Sequence, residues 1–337
     1  MTAHLEQHGS REAWFAARTR GFRIGGSAVP RILLPEAPYG HGPYSVWAEH
    51  HDPLPPTEET EAQAWGHADE PLALALYAQR TGIQVEHTPD TLLVHPEHPW
   101  VVCSPDGLVG EVGGVEVKHY DHPRWEEWAP SGAQWHGGPF FCGEYVALQA
   151  CWSLLASNRL WWDAVVNLPS GRRYPDQRVY RFWRHEPTLA DMLARVSAWR
   201  ERHLVGGERP PYDSGDQHYE IVQHRHPRRL GERFLDADET DEALMRRLAD
   251  ASARETAASA EVKLLRAQLA QRIGDNAGIK GEAGRVSWGD SRATRSISLS
   301  KIEGAAPDLF EQLRARGLIS EGFTARALRF APAKGAP

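Results

Sequence analysis

A succession of short β-rich runs between residues 91 and 118 constrains the fold of this chain more than any other feature. Residues 91–94 and 100–103 are rich in strand-forming side chains and are bounded by Pro and His. Residues 108–118 predict a further strand, with a turn or bulge at Gly113-Gly114. Strands separated by so few residues predict a β-meander, which would form the β part of a mixed α/β domain.

Segments with helical spacing of apolar residues flank these strands. The predicted helices cover residues 61–81, 143–157 and 187–204, and residues 11–31 predict a helix followed by a Gly turn at 24–27. Two more strands, at 161–168 and 177–183, predict a hairpin, whereas the Pro-, Gly- and His-rich residues 32–60 predict a long loop. The order of elements predicts a mixed α/β domain that ends near Asp213, and we assign residues 1–225 to it.

The C-terminal third has a different composition. Residues 239–273 are rich in Ala, Leu, Glu and Arg and predict one long helix ending at Gly274, a connector or an interaction helix within residues 226–277. Residues 278–337 carry ten Lys and Arg against six Asp and Glu. A hairpin at 285–299 and a short helix at 308–316 predict a small, basic α+β extension.

Composition excludes several classes of protein. Hydrophobic residues make up 41% of the chain, including 13 Trp, which is enough for a core. A net charge of −7 argues against a nucleic-acid coat held by bulk positive charge, but it allows a nuclease with one basic channel. Cys103, Cys142 and Cys151 lack metal-binding spacing and predict buried thiols in a reducing compartment. The chain shows neither a signal-peptide pattern nor a membrane-length apolar run, so we expect a cytoplasmic protein.

Acidic and basic residues of the meander form a pattern typical of phosphodiester hydrolysis. Glu116 and Lys118 lie two apart on a predicted strand and share one face, and Asp106, in a turn ten residues before Glu116, can meet them. Carboxylates are the ligands that Mg²⁺ prefers, and the Val117 carbonyl is a further candidate ligand. A Pro-Asp-Gly turn or an exposed Val-Glu-Val-Lys strand alone is commonly structural. Together, in this order, they favour a metal-dependent nuclease.

The order of Asp106, Glu116 and Lys118 resembles that of the PD-(D/E)XK nuclease fold, which implies a mixed α/β, restriction-endonuclease-like core with a central mixed sheet flanked by helices. Further residues resemble the YqaJ-type viral recombinase family, or phage lambda exonuclease family, over residues 10–215. The matching elements, in order, are Trp14 and Arg18, residues 24–27, Gly66 with Glu70-Pro71 and Tyr77, residues 104–107, residues 116–118, Gln149, and residues 210–213. Beyond residue 235, the long helix and hairpin resemble, more loosely, an extension that many members carry.

This resemblance implies roles for single residues. Asp106, Glu116 and Glu70 would hold metal, Lys118 would assist the attacking water, and Gln149 would support the lysine or a metal-bound water. Members often have a Gln-X-Gln pair, whose second position is Cys151 here. Glu70 has an alternative explanation as an ordinary exposed helix residue, and Tyr145, on the same helix as Gln149, is expected to pack.

The resemblance also implies a pocket for the 5′-phosphate of a DNA end, formed by Arg18, Ser27 and Ser104. A guanidinium donates two hydrogen bonds to phosphate oxygens, and hydroxyls also donate to these oxygens. Ser27 has an alternative role as a helix N-cap, and Arg18 as a helix-face charge. The weaker candidates for DNA contact, which packing or a solvated strand face would also explain, are Arg178, Arg181, Trp125 and Trp128.

The family implies an exonuclease that uses Mg²⁺, with Mn²⁺ able to substitute and two ions per site. It would degrade one strand of linear double-stranded DNA from the 5′ end, leaving 3′ single-stranded tails for an annealing protein in phage or prophage recombination. A ring-shaped homotrimer is implied as well. One alternative is an endonuclease, or a RecB-like or Cas4-like nuclease, in repair or defence, although the cysteine cluster of Cas4-like proteins is absent from the sequence. Another is a non-catalytic DNA-binding scaffold, against which the intact Asp106, Glu116 and Lys118 argue.

Overall fold

The computed structural model describes residues 3–34, 41–51, 61–119, 128–168, 176–212, 217–226, 234–289, 299–316 and 319. The chain forms two compact units, Met1–Arg225 and His226–Pro337. No helix among these described residues is long and apolar enough to cross a membrane. All three cysteines are buried and free, and burial raises the pKa of each thiol, to about 12 for Cys142.

The first unit contains a six-stranded mixed sheet. Its strands, in spatial order, are β2 (Glu86–His87), β5 (Gly107–Val109), β6 (Gly113–His119), β8 (Trp161–Leu168), β9 (Asp176–Trp183) and β7 (Gln134–Trp135). The β6–β8 and β7–β9 pairs are parallel, and the other pairs are antiparallel. The predicted mixed α/β fold with a central mixed sheet is therefore confirmed.

A smaller antiparallel sheet joins β1 (His4–Gln7), β3 (Thr91–Val94) and β4 (Val102–Cys103) in the order β1-β3-β4. The predicted single meander is therefore wrong: its first two strands belong to this sheet, and only 107–119 enter the large one. The β1 strand, which the sequence analysis did not identify, pairs His4–Gln7 with Thr91–Val94.

Helices cover the sheets. They are α1 (Arg11–Thr19), α2 (Val29–Leu33), α3 (Pro43–His51), α4 (Glu61–Thr81), α5 (Glu144–Ser157), α6 (Glu186–Arg200), which continues as a π-turn over Glu201–Val205, and α7 (Gln217–Arg225). The α5 helix is buried along residues 146–157 and packs against strands of both sheets. Val115 and Val117 pack with Ala73, Leu74 and Tyr77 of α4 on the opposite side of β6. The sheet around β6 is thus enclosed between two helices.

The bounds predicted for α4 are confirmed. The helix predicted before the Gly turn at 24–27 is α1, which ends at Thr19, and Gly21 and Phe22 after it adopt positive φ angles of 63° and 56°. The long loop predicted over 32–60 is wrong in part, since it contains α3, whose residues 44–48 are all buried. Burial on every side removes the helical periodicity, and Pro43 begins the helix as its first residue. Residues 35–40 and 52–60 lie outside the described part of the chain.

Gly113 and Gly114 do not form the predicted turn or bulge. They are the first residues of β6 and lie opposite Trp161 and Trp162 of β8. A Cβ atom at either glycine would lie 2.1 Å from the facing indole ring. The glycines therefore let two tryptophan rings lie directly over the strand that carries Glu116 and Lys118.

The second unit contains α8 (Glu239–Ile273), a hairpin of β10 (Gly278–Gly281) and β11 (Gly284–Ser287), α9 (Leu299–Ala305) and α10 (Pro307–Ala315). The long helix and the final short helix are confirmed. The hairpin predicted at 285–299 is shifted, since its two strands are joined across Gly281 and Gly284. Residues 290–298 lie outside the described part. The division of this half into a connector at 226–277 and an extension at 278–337 stays a prediction.

Candidate active site

A cavity of about 510 Å³ in the first unit brings together most of the residues predicted to form the site. They reach it from α1, the segment before α2, α4, the turn before β5, strand β6 and helix α5. The predicted site residues that line the cavity are Arg18, Ser27, Glu70, Ser104, Asp106, Glu116, Lys118 and Gln149.

Strand alternation places Glu116 and Lys118 on the α5 side of β6. The Lys118 ammonium donates to Glu116 Oε1 at 2.5 Å, and Gln149 Nε2 donates to the same oxygen. Glu116 is only 5% exposed. Burial lowers the pKa of Lys118, but attraction to Glu116 and Asp106 outweighs it, so that pKa is raised overall. These three side chains therefore form one hydrogen-bonded group.

Asp106 is held against the same group by the backbone. Its Oδ2 accepts a hydrogen bond of 2.6 Å from the Val117 N–H. Burial, followed by repulsion from Glu116 and Glu70, raises the pKa of Asp106 well above its ordinary value, although Lys118 and the Val117 N–H oppose this effect. Crowding of acidic side chains is therefore a feature of the site. The Val117 carbonyl as a metal ligand stays a prediction.

Glu70, on α4, lines the cavity. It is therefore not the ordinary exposed helix residue of the alternative explanation. Its side chain is 18% exposed, and Oε1 lies 2.8 Å from His87 Nε2. Within the described ranges, no group of three or more His, Cys, Asp or Glu side chains is arranged to hold a metal ion. The contact with His87 ties Glu70 to β2.

The donors nonetheless fit a divalent cation. Asp106 and Glu116 provide two crowded carboxylates of the kind that Mg²⁺ prefers, and a cation between them would relieve their repulsion. Gln149 Oε1, at the same cavity, is buried without a hydrogen-bond partner. A buried acceptor of this kind costs free energy unless a donor, such as a water molecule, reaches it. A move of Glu70 Oε1 to the ion would break its contact with His87.

A second group lines the cavity beside the carboxylates. Arg18 donates to Ser27 Oγ, and its guanidinium lies 5.1 Å from the centre of the Trp14 ring. Ser104 Oγ accepts from Trp14 Nε1 at 3.1 Å and donates to the Thr91 carbonyl at 2.9 Å. The alternative of Ser27 as an N-cap is wrong, because α2 is preceded by Ala28 and has no side-chain cap. The arrangement offers a guanidinium and two hydroxyls on one wall of the cavity.

Among the lining residues that the sequence analysis missed are Arg11, His67 and His87. The Arg11 guanidinium lies 4.2 Å from the Trp14 ring centre and 3.2 Å from His67. Arg11 could have been found, because residues 11, 14 and 18 share one helix face at spacings of three and four. His87 belongs to a two-residue strand and carries no comparable pattern.

Two of the weaker candidates for DNA contact, Arg181 and Trp128, make contacts within the first unit. Arg181 makes two hydrogen bonds, of 2.8 and 2.7 Å, to Asp163, which is fully buried, so its guanidinium neutralises a core acid. Trp128 packs against the core with its ring 6.1 Å from that of Tyr180, which supports the packing explanation. Trp125 lies outside the described residues, and Arg178, on β9, stays a prediction.

Comparison with known proteins finds a match to one family model. Residues 13–147 match the model of the YqaJ-like viral recombinase domain, a range that includes Arg18, Glu70, Asp106 and Lys118. No curated protein sequence matches the chain.

Two solved structures are similar over much of their length. An alkaline exonuclease (LHK-Exo) from Laribacter hongkongensis is 25% identical, with 58% of this chain and 93% of that chain covered and a TM-score of 0.45. A phage-related exonuclease from Haemophilus somnus 129PT is 10% identical, with 60% and 92% covered and a TM-score of 0.34. The resemblance inferred from the sequence is confirmed by the family model, which residues 13–147 match.

Proposed function

We propose that this protein is a divalent-metal-dependent exonuclease that acts on the ends of linear double-stranded DNA. One observation carries the proposal: Glu116, Lys118 and Gln149 are joined by hydrogen bonds, beside Asp106, in a cavity whose other wall carries Arg18 and two serine hydroxyls. Acidic groups for metal and cationic groups for phosphate are both needed for phosphodiester hydrolysis.

Asp106 and Glu116 would hold Mg²⁺ or Mn²⁺, and Glu70 is the candidate to complete a two-ion site. A bound ion of this kind supplies an activated water and stabilises the leaving oxygen. Lys118, whose ammonium already lies at Glu116, would orient the water or neutralise charge on the phosphate. Gln149, through its unpaired Oε1, would accept a hydrogen bond from that water.

The wall formed by Arg18, Ser27 and Ser104 is the proposed site for the 5′-terminal phosphate. Binding of that phosphate next to the carboxylates would direct cleavage to the 5′ end and leave a 3′ single-stranded tail. We further propose that the tail passes to a single-strand annealing protein during phage-type recombination in the host cytoplasm. A ring-shaped homotrimer is the assembly that we expect for this activity.

Digestion of matched DNA topologies tests the activity. The wild-type protein with Mg²⁺ is expected to release nucleotides from the 5′ ends of a linear duplex, which a 5′ label reports. It is expected to leave closed circular DNA intact. Asp106→Asn keeps the shape of the side chain and should abolish this release. Asp69→Asn, at a half-exposed acid outside the cavity and 3.7 Å from His119, is the matched control and should retain it.

Three outcomes would count against the proposal. Cutting of closed circles would favour an endonuclease, equal activity in Asp106→Asn would separate the site from the chemistry, and DNA binding without cleavage would favour a scaffold protein.

The preference for a 5′-phosphate is tested at Arg18. Arg18→Gln removes the guanidinium and should reduce the preference for 5′-phosphate over 5′-hydroxyl ends by about tenfold or more, which corresponds to one lost charge-assisted hydrogen bond of at least about 1.4 kcal/mol. The initial rates on the two substrates give this ratio. Arg195→Gln, at an exposed ion pair of α6, is the control. An unchanged ratio in Arg18→Gln would remove Arg18 from the phosphate site.

A further inference from the structure

The α8 helix has an unusual surface. It is 35 residues long, which corresponds to about 52 Å, and begins with a capping box formed by Asp238 and Asp241. Among its residues only Ile273 is buried. In proteins, most of a helix's stability comes from an apolar face that packs on a neighbour. Almost none of the α8 surface is covered in this way.

One stripe along α8 has the spacing of a coiled-coil seam. Its positions alternate in steps of four and three residues, as the a and d positions of a heptad do. The stripe consists of Leu244, Leu248, Ala251, Glu255, Ala258, Val262, Leu265 and Leu269. Leu244 is 55% exposed, Val262 45% and Leu265 49%. Seven of the eight positions are apolar, although they face solvent.

The two ends of the stripe are alike. A pair of leucines stands at each end, and Ala251, Glu255, Ala258 and Val262 stand between them. In two antiparallel helices, each a position faces a d position of the partner. Placing a two-fold axis between Thr256 and Ala257 gives the facing pairs Leu244 with Leu269, Leu248 with Leu265, Ala251 with Val262, and Glu255 with Ala258.

Charge also distinguishes the possible orientations. In a parallel pair, Glu255 would face its own copy within the seam, and two like charges would be buried together. In the antiparallel pair it faces Ala258. Arg254 and Glu261, which flank the seam on one side, then face each other across the two chains, twice by symmetry. The other flanking pairs contain at most one charged residue each.

We propose that α8 is a self-association surface, which binds the α8 helix of a second copy of this chain in antiparallel orientation. A stripe with leucine pairs at both ends fits a two-fold interface, in which the same surface is used by both copies. This proposal stands apart from the nuclease activity. A trimer formed by the first unit would be linked in pairs by this surface, and a monomer would become a dimer.

Cysteine cross-linking in the full-length chain tests the orientation. Leu244→Cys combined with Leu269→Cys should give disulfide-linked dimers under mild oxidation, whereas each single variant should not. The reason is distance: in the antiparallel pair, two copies of residue 244 lie about 37 Å apart along the axis. The three native cysteines are buried and should not interfere.

A matched control distinguishes pairing from collision. Arg246→Cys with Ala267→Cys has the same spacing from the axis but lies on the outer face of the helix, so it should stay uncross-linked. Cross-linking of the single Leu244→Cys variant would indicate a parallel pair and overturn the proposal. An absence of cross-linking in the double variant, or equal cross-linking in the outer-face control, would also overturn it.

A second measurement covers variants that fail to oxidise. Leu248→Glu with Leu265→Glu places acids opposite each other in both halves of the seam, and the mass measured by sedimentation should fall by half. Leu264→Glu changes a leucine that is 58% exposed and lies outside the stripe, so the mass should be unchanged. These residues are exposed, and the substitutions should leave the helix folded. A mass that is the same for both variants would contradict the proposal.

Discussion

Arg181, a predicted DNA contact, forms an ion pair with Asp163 in the structure. The free energy of this ion pair can be measured. Asp163 is fully buried, and it accepts two hydrogen bonds from Arg181 and one of 2.7 Å from the Tyr77 hydroxyl. The Arg181 guanidinium also lies 4.0 Å from the centre of the Trp161 ring. Removing it by Arg181→Met would leave a buried carboxylate with one remaining side-chain donor.

The expected cost is large. Breaking a buried pair by removing one partner typically destabilises by about 3–5 kcal/mol, because the other charge is left buried without compensation. The Arg181 side chain is 21% exposed, and Tyr77 still donates, so we expect the lower end, about 3 kcal/mol. Asp163→Asn in the Arg181→Met background should recover part of this loss, since the uncompensated charge is then gone.

Urea unfolding of the four members of this double-mutant cycle measures the coupling free energy. We expect coupling of about 1–3 kcal/mol between the two positions, in the range found for contacting residues. A destabilisation below about 1 kcal/mol, or additive effects, would refute the reasoning. If Arg181 instead contacted phosphate, its loss would mainly weaken DNA binding and reduce the slope of affinity against salt by about one.

Two further predictions concern the framework of the site. Gly114→Ala would place a methyl group 2.1 Å from the buried Trp162 ring and should lower the free energy of urea unfolding by about 1–3 kcal/mol. The control Gly9→Ala, with open space around it, should change this free energy by less than about 0.5 kcal/mol. Equal effects of the two substitutions would contradict the packing. Hydrogen bonding by Arg23 lowers the pKa of Glu6, so the pair contributes stability above the unfolded pKa of Glu, about 4.3, that is lost as pH falls through the folded pKa. Glu6→Gln should therefore cost about 1–2 kcal/mol at pH 7, with the difference from the wild type disappearing towards pH 3; a constant difference over that range would argue against the ion pair.

Local sequence patterns were sufficient to predict a helix or strand where only one of its faces is buried. Strand alternation predicted that Glu116 and Lys118 share a face, and the apolar residues ending at Gly82 predicted α4. The same reasoning missed α3, since residues 44–48 are buried on all sides and show no periodicity. It also treated Gly113-Gly114 as a turn, because the indole rings that require glycine come from a strand almost fifty residues later.

The site shows a similar division. Residue types and their order were enough to select Asp106, Glu116 and Lys118, whereas Glu70 and Gln149 were selected through the family resemblance; all five line the cavity. Their partners were not accessible in this way, because they come from distant parts of the chain. Glu70 binds His87 from a separate strand, and Arg181 pairs with Asp163 across two strands. A cluster of arginines looks the same in the sequence whether it faces DNA or neutralises a buried acid.

The central claim is that the carboxylates beside Lys118 hydrolyse DNA with a divalent cation, and one measurement tests it most directly. The rate of nucleotide release from linear duplex is compared between wild type and Glu116→Gln, each titrated with Mg²⁺. Metal-assisted charge stabilisation is worth several kcal/mol, so we expect a loss of at least about 100-fold in Glu116→Gln and no release without metal. Wild-type release that persists in a chelator, or a Glu116→Gln rate within threefold of wild type, on the order of 0.6 kcal/mol, would contradict the account.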